Sequence, residues 1–181
     1  MSRQEPRPWV QVGVRHTRDY VIFQTKTLDV TDPRTGKPFV RTIVETNDYA
    51  NVLAVTPRDE VVLVRQFRFG VWANSLELPG GVIEKGEAPS DGVARELEEE
   101  TGYRAAKVRL LGVAHNNPAI FNNQLHCFLA EGCERVSGGA PDEGEDLQVV
   151  LVPRGELRGL VQRGEITHSH TLTALLYDAW R

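Results

Sequence analysis

The chain has 181 residues, 40% of them apolar and 25% charged, which suits one globular body with an adequate core. A net charge of −4 argues against a nucleic-acid-coating surface, while leaving room for a small anionic substrate at a locally positive site. No apolar run approaches the roughly 20 residues of a membrane span, the N-terminal MSRQEPRPWVQVGVR lacks the apolar core of a secretory signal, and Cys127 and Cys133 are too few for a disulfide scaffold, so cytoplasm is the expected compartment.

Residues 1–17 are polar and proline-containing and are expected to form an extended arm anchored by Trp9. Residues 20–29 (YVIFQTKTLD) have strand composition, residues 31–36 (TDPRTG) form a turn cluster, and residues 39–45 make the return strand of an N-terminal hairpin. A third strand is expected at 51–56 and a fourth at 60–66 (EVVLVRQ), joined by Pro57-Arg58-Asp59. A loop at 70–74 leads into LELPGG, where Pro79-Gly80-Gly81 signals a turn with close backbone approach. Ser90 as N-cap and Gly102 as the stop bracket a helix of roughly three turns, with Val93, Leu97 and the adjacent Ala94 as its apolar face.

Downstream, 107–115 reads as a strand, 116–123 as a loop around Pro118, and 124–130 as another strand. A polar, glycine-rich loop at 132–144 ends in the acidic PDEGED and precedes an expected buried strand at 147–152. Pro153 opens a helix to about Arg163, with Leu157, Leu160 and Val161 as its stripe. A last helix at 169–180 carries Leu172, Leu175, Leu176 and Ala179. The pattern fits a mixed sheet flanked by helices.

Glu96, Glu99 and Glu100 stand at i, i+3 and i+4, so their carboxylates gather on one side of the helix. Like charges at that spacing destabilise an isolated helix, so a positive group is expected among them. Hard divalent cations take carboxylate and carbonyl oxygens, and three carboxylates facing a glycine turn supply that donor set. Taken alone, ELEEE would read as a solvated charged face.

The spacing of Gly81, Glu87, Arg95, Glu96, Leu97, Glu99, Glu100 and Gly102 matches G-x5-E-x7-R-E-U-x-E-E-x-G-U, and the chain thereby resembles a Nudix hydrolase. Tyr103 stands where an aliphatic residue is usual, and a buried tyrosine can fill that slot. The resemblance implies an α/β/α sandwich with a mixed sheet (47–181), preceded by an arm and hairpin (1–46) that serves dimerisation. It implies Mg²⁺, with Mn²⁺ as an alternative, held by Glu96, Glu99, Glu100 and the Gly80 carbonyl, with Arg95 orienting a carboxylate and Glu87 supporting the loop.

VRQFR, LELPGG, Pro118, the acidic loop and the C-terminal helices are similar to the ADP-ribose pyrophosphatase branch of that family. That likeness makes Glu143 the expected general base, with Glu145 as second choice or extra metal ligand. It makes Arg68 a contact to the substrate diphosphate and places Glu77 near the metals. Homodimers whose hairpins cross to the partner are implied, with Phe23, Tyr20 or Phe39 stacking on the base and Arg41 meeting the substrate. The loop departs from the branch: it reads NPAIFNNQ, so Asn116, Asn117, Asn122 and Asn123 either bind sugar hydroxyls or cap the loop backbone. The expected activity is hydrolysis of nucleoside diphosphate sugars, ADP-ribose favoured, with GDP-mannose or another such sugar, or a non-catalytic nucleotide sensor, as alternatives. A Nudix-fold isomerase would need an acid cysteine, and Cys127 lies in an apolar strand.

Overall fold

The computed structural model describes residues 5–140, 144 and 146–180, so Glu143 and Glu145 lie outside the described residues. The chain forms two compact units, Met1–Thr46 with His115–Asn123, and Asn47–Ala114 with Gln124–Arg181.

The first unit is built on the antiparallel strands β1 (Val10–Asp19), β2 (Gln24–Thr31) and β3 (Pro38–Glu45), in that order. β1 replaces the expected extended arm. Val10, Val12 and Val14 alternate as a strand requires, and the backbone pairs with β2 from Val10↔Thr31 to Asp19↔Gln24. The expected turn closes the β2–β3 hairpin, with the Asp32 carbonyl accepting from Gly36 N–H at 2.8 Å and Asp32 Oδ1 from Arg34 N–H at 2.8 Å. Val44 N–H donates to the Ile120 carbonyl at 2.7 Å, which fastens the 115–123 loop to β3.

In the second unit, β4 (Tyr49–Val55), β5 (Glu60–Arg68), β6 (Ala73–Glu77), β7 (Gly80–Val82) and α1 (Pro89–Thr101) are followed by β8 (Tyr103–Arg104), β9 (Lys107–His115), β10 (Gln124–Glu131), β11 (Glu134–Arg135) and β12 (Gln148–Pro153). A 3₁₀ turn (Arg154–Glu156), α2 (Leu157–Gln162) and α3 (Ser169–Ala179) complete it. The main sheet has the order β12-β5-β4-β10-β9, with β6 on β5 and β7 on β4, while β8 and β11 form a separate ribbon. β4 and β10 run parallel, and β4–β5, β5–β6 and β5–β12 antiparallel, so the sheet is mixed.

Strand alternation divides the core in two. Leu53, Val55, Val61, Leu63, Leu125, Cys127 and Leu129 pack toward Leu157, Leu160, Ile166 and Ala174, on the side of α2 and α3. Val52, Ala54, Val62, Phe128 and Ala130 pack toward Val93, Leu97 and Tyr103, on the side of α1. The result is an α/β/α sandwich, and Tyr103 is buried as its slot demands.

Three local expectations change. β12 is a sheet edge rather than a buried strand, with Val152 its one buried residue. Pro153 caps a 3₁₀ turn and α2 starts only at Leu157. The inner face of α3 carries Thr171 and Ala174, with Leu172 and Leu175 at its margin, whereas Leu176 and Ala179 are exposed.

Candidate active site

α1 begins one residue before the expected cap. Ala88, with no side-chain cap bond, is the N-cap and Pro89 supplies the preset φ of a first helical residue, leaving Ser90 inside the first turn. Gly102 ends the helix in the left-handed region (φ 74°), and a Cβ there would lie 2.4 Å from the Ser137 carbonyl oxygen. The buried side consists of Gly92, Val93, Leu97, Glu100 and Thr101, while Ala94 faces solvent. Glu100 thus sits in the apolar stripe at seven residues from Val93. Its carboxylate is 6% exposed by residue, and Oε2 accepts from the Gly80 N–H at 2.9 Å.

The positive group among the carboxylates is Arg95. Its Nη1 donates to Glu96 Oε1 at 3.0 Å and to Glu99 Oε2 at 2.8 Å, and its Nε donates to Glu87 Oε1 at 3.1 Å. These bonds, led by the one to Glu87, push the Arg95 pKa above its ordinary value. The Arg95 guanidinium, with the Glu84 N–H beside it, holds the Glu87 carboxyl below the usual carboxylate range. Glu87 therefore braces the loop into α1: its Oε2 accepts from Glu84 N–H at 3.0 Å. Two glycines make room. A Cβ on Gly92 would lie 2.8 Å from Glu87 Oε2, and one on Gly81 would lie 2.7 Å from the Glu96 carboxylate. At Gly80 (φ 149°) a Cβ would strike the Ala50 carbonyl oxygen at 2.2 Å, so β7 pairs with β4 only with glycine there.

Among the described residues no trio of His, Cys, Asp or Glu side chains converges tightly enough to grip an ion as it stands. The reason is visible in the partners: Glu96 and Glu99 turn to Arg95, and Glu100 turns to the Gly80 amide. A cleft of about 340 Å³ opens beside them, lined in part by Arg95, Glu99, Ser137, Gly139 and Ala140. The loop after β11 is tied to the end of α1, since Val136 N–H donates to the Gly102 carbonyl at 2.8 Å and Ala140 N–H to the Glu99 carbonyl at 2.7 Å.

Arg68, at the end of β5, makes a fork onto Glu77 at the end of β6: Nε to Oε1 at 2.9 Å and Nη2 to Oε2 at 2.7 Å. Glu77 is 1% exposed. Its burial alone would raise its pKa, but the Arg68 hydrogen bonds and the charges around it win and lower it. His168, which the sequence pattern did not single out, places Nδ1 3.1 Å from Glu77 Oε2. Its signal is faint: two histidines flank Ser169 where an apolar helix begins.

The remaining candidates belong to the first unit and find partners inside it. Phe23 stacks on Tyr20 with ring centroids 4.7 Å apart. Arg41 lies over the rings of Trp9 and Phe39 at 5.2 and 5.1 Å. Asn122 Oδ1 accepts from Thr46 N–H and Asn117 Oδ1 from Ala119 N–H, each at 3.3 Å, so both serve the loop backbone. Asn123 is buried, at 2% exposure. In the second unit, Cys127 is fully buried within the sheet core, and burial pushes its thiol up to about 12, which leaves no acid role for it.

The chain resembles known proteins in both sequence and fold. The chain is 34% identical over 161 residues to an ADP-ribose pyrophosphatase of Bacillus subtilis (strain 168), covering 86% of this chain and 87% of that one. It is 30% identical to a GDP-mannose pyrophosphatase of Citrobacter koseri (strain ATCC BAA-895 / CDC 4225-83 / SGSC4696), with 88% of each chain covered. It is also 30% identical to the methanol dehydrogenase activator of Bacillus methanolicus, over 78% of this chain and 77% of that one. A crystal structure of an ADP compounds hydrolase superposes with a TM-score of 0.86 at 21% identity, covering 98% of this chain and 95% of that one, which shows the shared fold. The NUDIX domain model matches residues 46–175, the span that holds the arginine-centred carboxylates and the glycine turn, and the chain belongs to the Nudix family.

Proposed function

We propose that this chain is a divalent-metal-dependent hydrolase that splits the pyrophosphate bond of nucleoside diphosphate sugars, ADP-ribose favoured, into a nucleoside monophosphate and a sugar phosphate. The observation that carries the reading is the gathering of Glu96, Glu99 and Glu100 around Arg95 and the Gly80–Gly81 turn, in a chain whose relatives are named for that class of bond. The donor chemistry fits a hard cation: every candidate side chain is a carboxylate, and Gly81 leaves open, beside the Glu96 carboxylate, the space a Cβ would fill. Glu96, Glu99, Glu100 and the Gly80 carbonyl would hold Mg²⁺, or Mn²⁺ in its place. Such an ion, when bound, offsets phosphate charge and lowers the pKa of water.

The chain's own residues do the rest. Arg95 keeps Glu96 and Glu99 side by side against their mutual repulsion, and Glu87 keeps Arg95 in place. Arg68, aimed by Glu77, presents a guanidinium suited to diphosphate oxygens. Glu143 is the proposed base that takes the proton of the attacking water, with Glu145 as the alternative. Glu143 follows Ala140, whose amide is bound to the Glu99 carbonyl, by three positions in the chain. That attachment supports a base drawn from this loop.

Phe23, Arg41 and the amide nitrogen of Asn122, whose Oδ1 serves the loop backbone, are the proposed contacts to base and sugar, supplied within a homodimer, while the buried Asn123 supports that loop from within. Self-association is supported by the exposed Val10, Val12 and Val14 of β1 and by Val21 and Ile22, all in the first unit. No helix among the described residues is long and apolar enough to cross a membrane, and the proposed compartment is the cytoplasm. A GDP-mannose preference is the second reading, favoured by the NPAIFNNQ loop and by the Citrobacter relative.

The test is product analysis with purified protein and Mg²⁺, comparing kcat/KM for ADP-ribose, GDP-mannose, UDP-glucose and a nucleoside triphosphate. Release of AMP and ribose phosphate as the preferred reaction bears the proposal out. Preference for GDP-mannose makes the asparagine loop the selector, and binding without cleavage of any of them overturns the hydrolase reading.

A further inference from the structure

We propose that His168 is a positioning residue: acting through Glu77, it fixes the guanidinium of Arg68 at the end of β5. The inference rests on the reading of Arg68 as a contact to the substrate diphosphate, and adds to it the group that keeps Arg68 aimed.

Glu77 is 1% exposed, and a carboxylate so enclosed is tolerated only when its oxygens are engaged. Arg68 engages both through Nε and Nη2, at 2.9 and 2.7 Å. The arginine side chain is itself 44% exposed, so it carries the consequence of this buried carboxylate to the surface. Ser75, two residues back on β6, also bonds the Glu77 carboxylate, so Arg68 and Ser75 hold it from β5 and β6. His168 adds a contact from the start of α3. Its Nδ1 lies 3.1 Å from Glu77 Oε2 and 3.3 Å from Thr171 Oγ1. Thr171 is fully buried in α3, and its hydroxyl accepts the Leu78 N–H at 3.0 Å, one residue beyond Glu77.

The backbone of α3 and the chain leaving β6 are thus fastened to one another around the Glu77 carboxylate. His168 occupies the N-cap of α3 and makes no side-chain cap bond there; the polar edge of its ring goes to Glu77 and Thr171 instead. Nδ1 makes its hydrogen bond to Thr171 and stands beside Glu77 Oε2, and because burial favours the neutral ring no second charge is placed beside Arg68.

The experiment measures kcat and KM for ADP-ribose with Mg²⁺ for His168→Gln and His168→Asn, each alone and combined with Arg68→Ala. The asparagine amide falls near the place of Nδ1, whereas the glutamine amide reaches toward that of Nε2, so the two polar variants differ in where the donor sits. His168→Gln raises KM roughly tenfold with kcat held within about twofold, the size expected for losing a close polar contact to a charged group that acts on binding. His168→Asn recovers most of that loss, and His168→Gln adds nothing once Arg68 is alanine. An unchanged KM in His168→Gln while Arg68→Ala raises it overturns this inference alone. An equal loss in both Arg68 backgrounds also overturns it, by making the effect one of general structure. An unchanged KM in Arg68→Ala overturns the diphosphate reading and the inference together.

Discussion

Four glutamates stand within the five residues 96–100, and their neighbours sort them into different jobs. Glu98 reaches out to Arg104, with Nη2 to Oε1 at 2.7 Å, away from the arginine-centred group. Glu96 and Glu99 share Arg95, and Glu100 is drawn into the apolar stripe by the Gly80 amide. The helical spacing of the three carboxylates was readable from the sequence, as was the need for a cation among them. Arg95 as a partner of one carboxylate was expected as well; that it serves Glu96, Glu99 and Glu87 together, and that Glu100 is buried, was not, because periodicity ranks residues by face and not by the partners waiting there. Gly81 gives a prediction at this scale. In Gly81→Ala the new Cβ meets the Glu96 carboxylate at 2.7 Å, the end of a movable side chain. Glu96 shifts and kcat falls about tenfold or more, with the melting temperature changed by only a few degrees, as paired kinetics and calorimetry would register. In Gly80→Ala the obstacle is the Ala50 backbone at 2.2 Å and the variant loses stability outright, which chemical denaturation would reveal.

At the scale of elements, α1 and α3 show why the same apolar-stripe reasoning succeeded once and slipped once. In α1, Val93 and Leu97 are buried as their four-residue spacing implies, and Leu97→Ala is expected to cost about 3 kcal/mol in unfolding free energy. In α3 the four apolar candidates point partly outward because Thr171 takes the innermost position. A buried threonine carries no hydrophobic signal in a sequence; its placement follows from the Leu78 amide it satisfies. The start of α3 also sets a pH response. Burial first, then the neighbouring His168, pushes the His170 pKa from 6.5 down to about 4. Between those values the unfolded chain binds a proton that the native chain does not, so stability is complete above about pH 6.5 and falls as the pH drops toward about 4. His170→Gln removes that contribution: its melting temperature falls less than the wild type's between pH 7 and pH 4.5. Parallel curves for the two proteins would contradict the assignment.

For the whole molecule, the mixed sheet and its two flanking helix layers were legible because strand alternation in β4, β5 and β10 sends every second residue to opposite faces. The N-terminal strand β1 was not read, although Val10, Val12 and Val14 alternate, because the segment is polar and proline-containing around them; its pairing with β2 is what makes it a strand. The site divides the same way. Residues 80–102 carry fixed spacing and could be read from the chain, whereas His168 joins Glu77 from 91 positions away through the packing of α3. The proposed hydrolysis depends first on the carboxylates of α1 as metal ligands. The measurement that tests it most directly is turnover of ADP-ribose by Glu99→Gln and Glu100→Gln beside Glu98→Gln, with melting temperatures taken on the same samples. Losses on the order of 10³ in kcat are expected for Glu99→Gln and Glu100→Gln, with an intact fold in all three and wild-type turnover in Glu98→Gln. Wild-type turnover in both Glu99→Gln and Glu100→Gln would contradict that role.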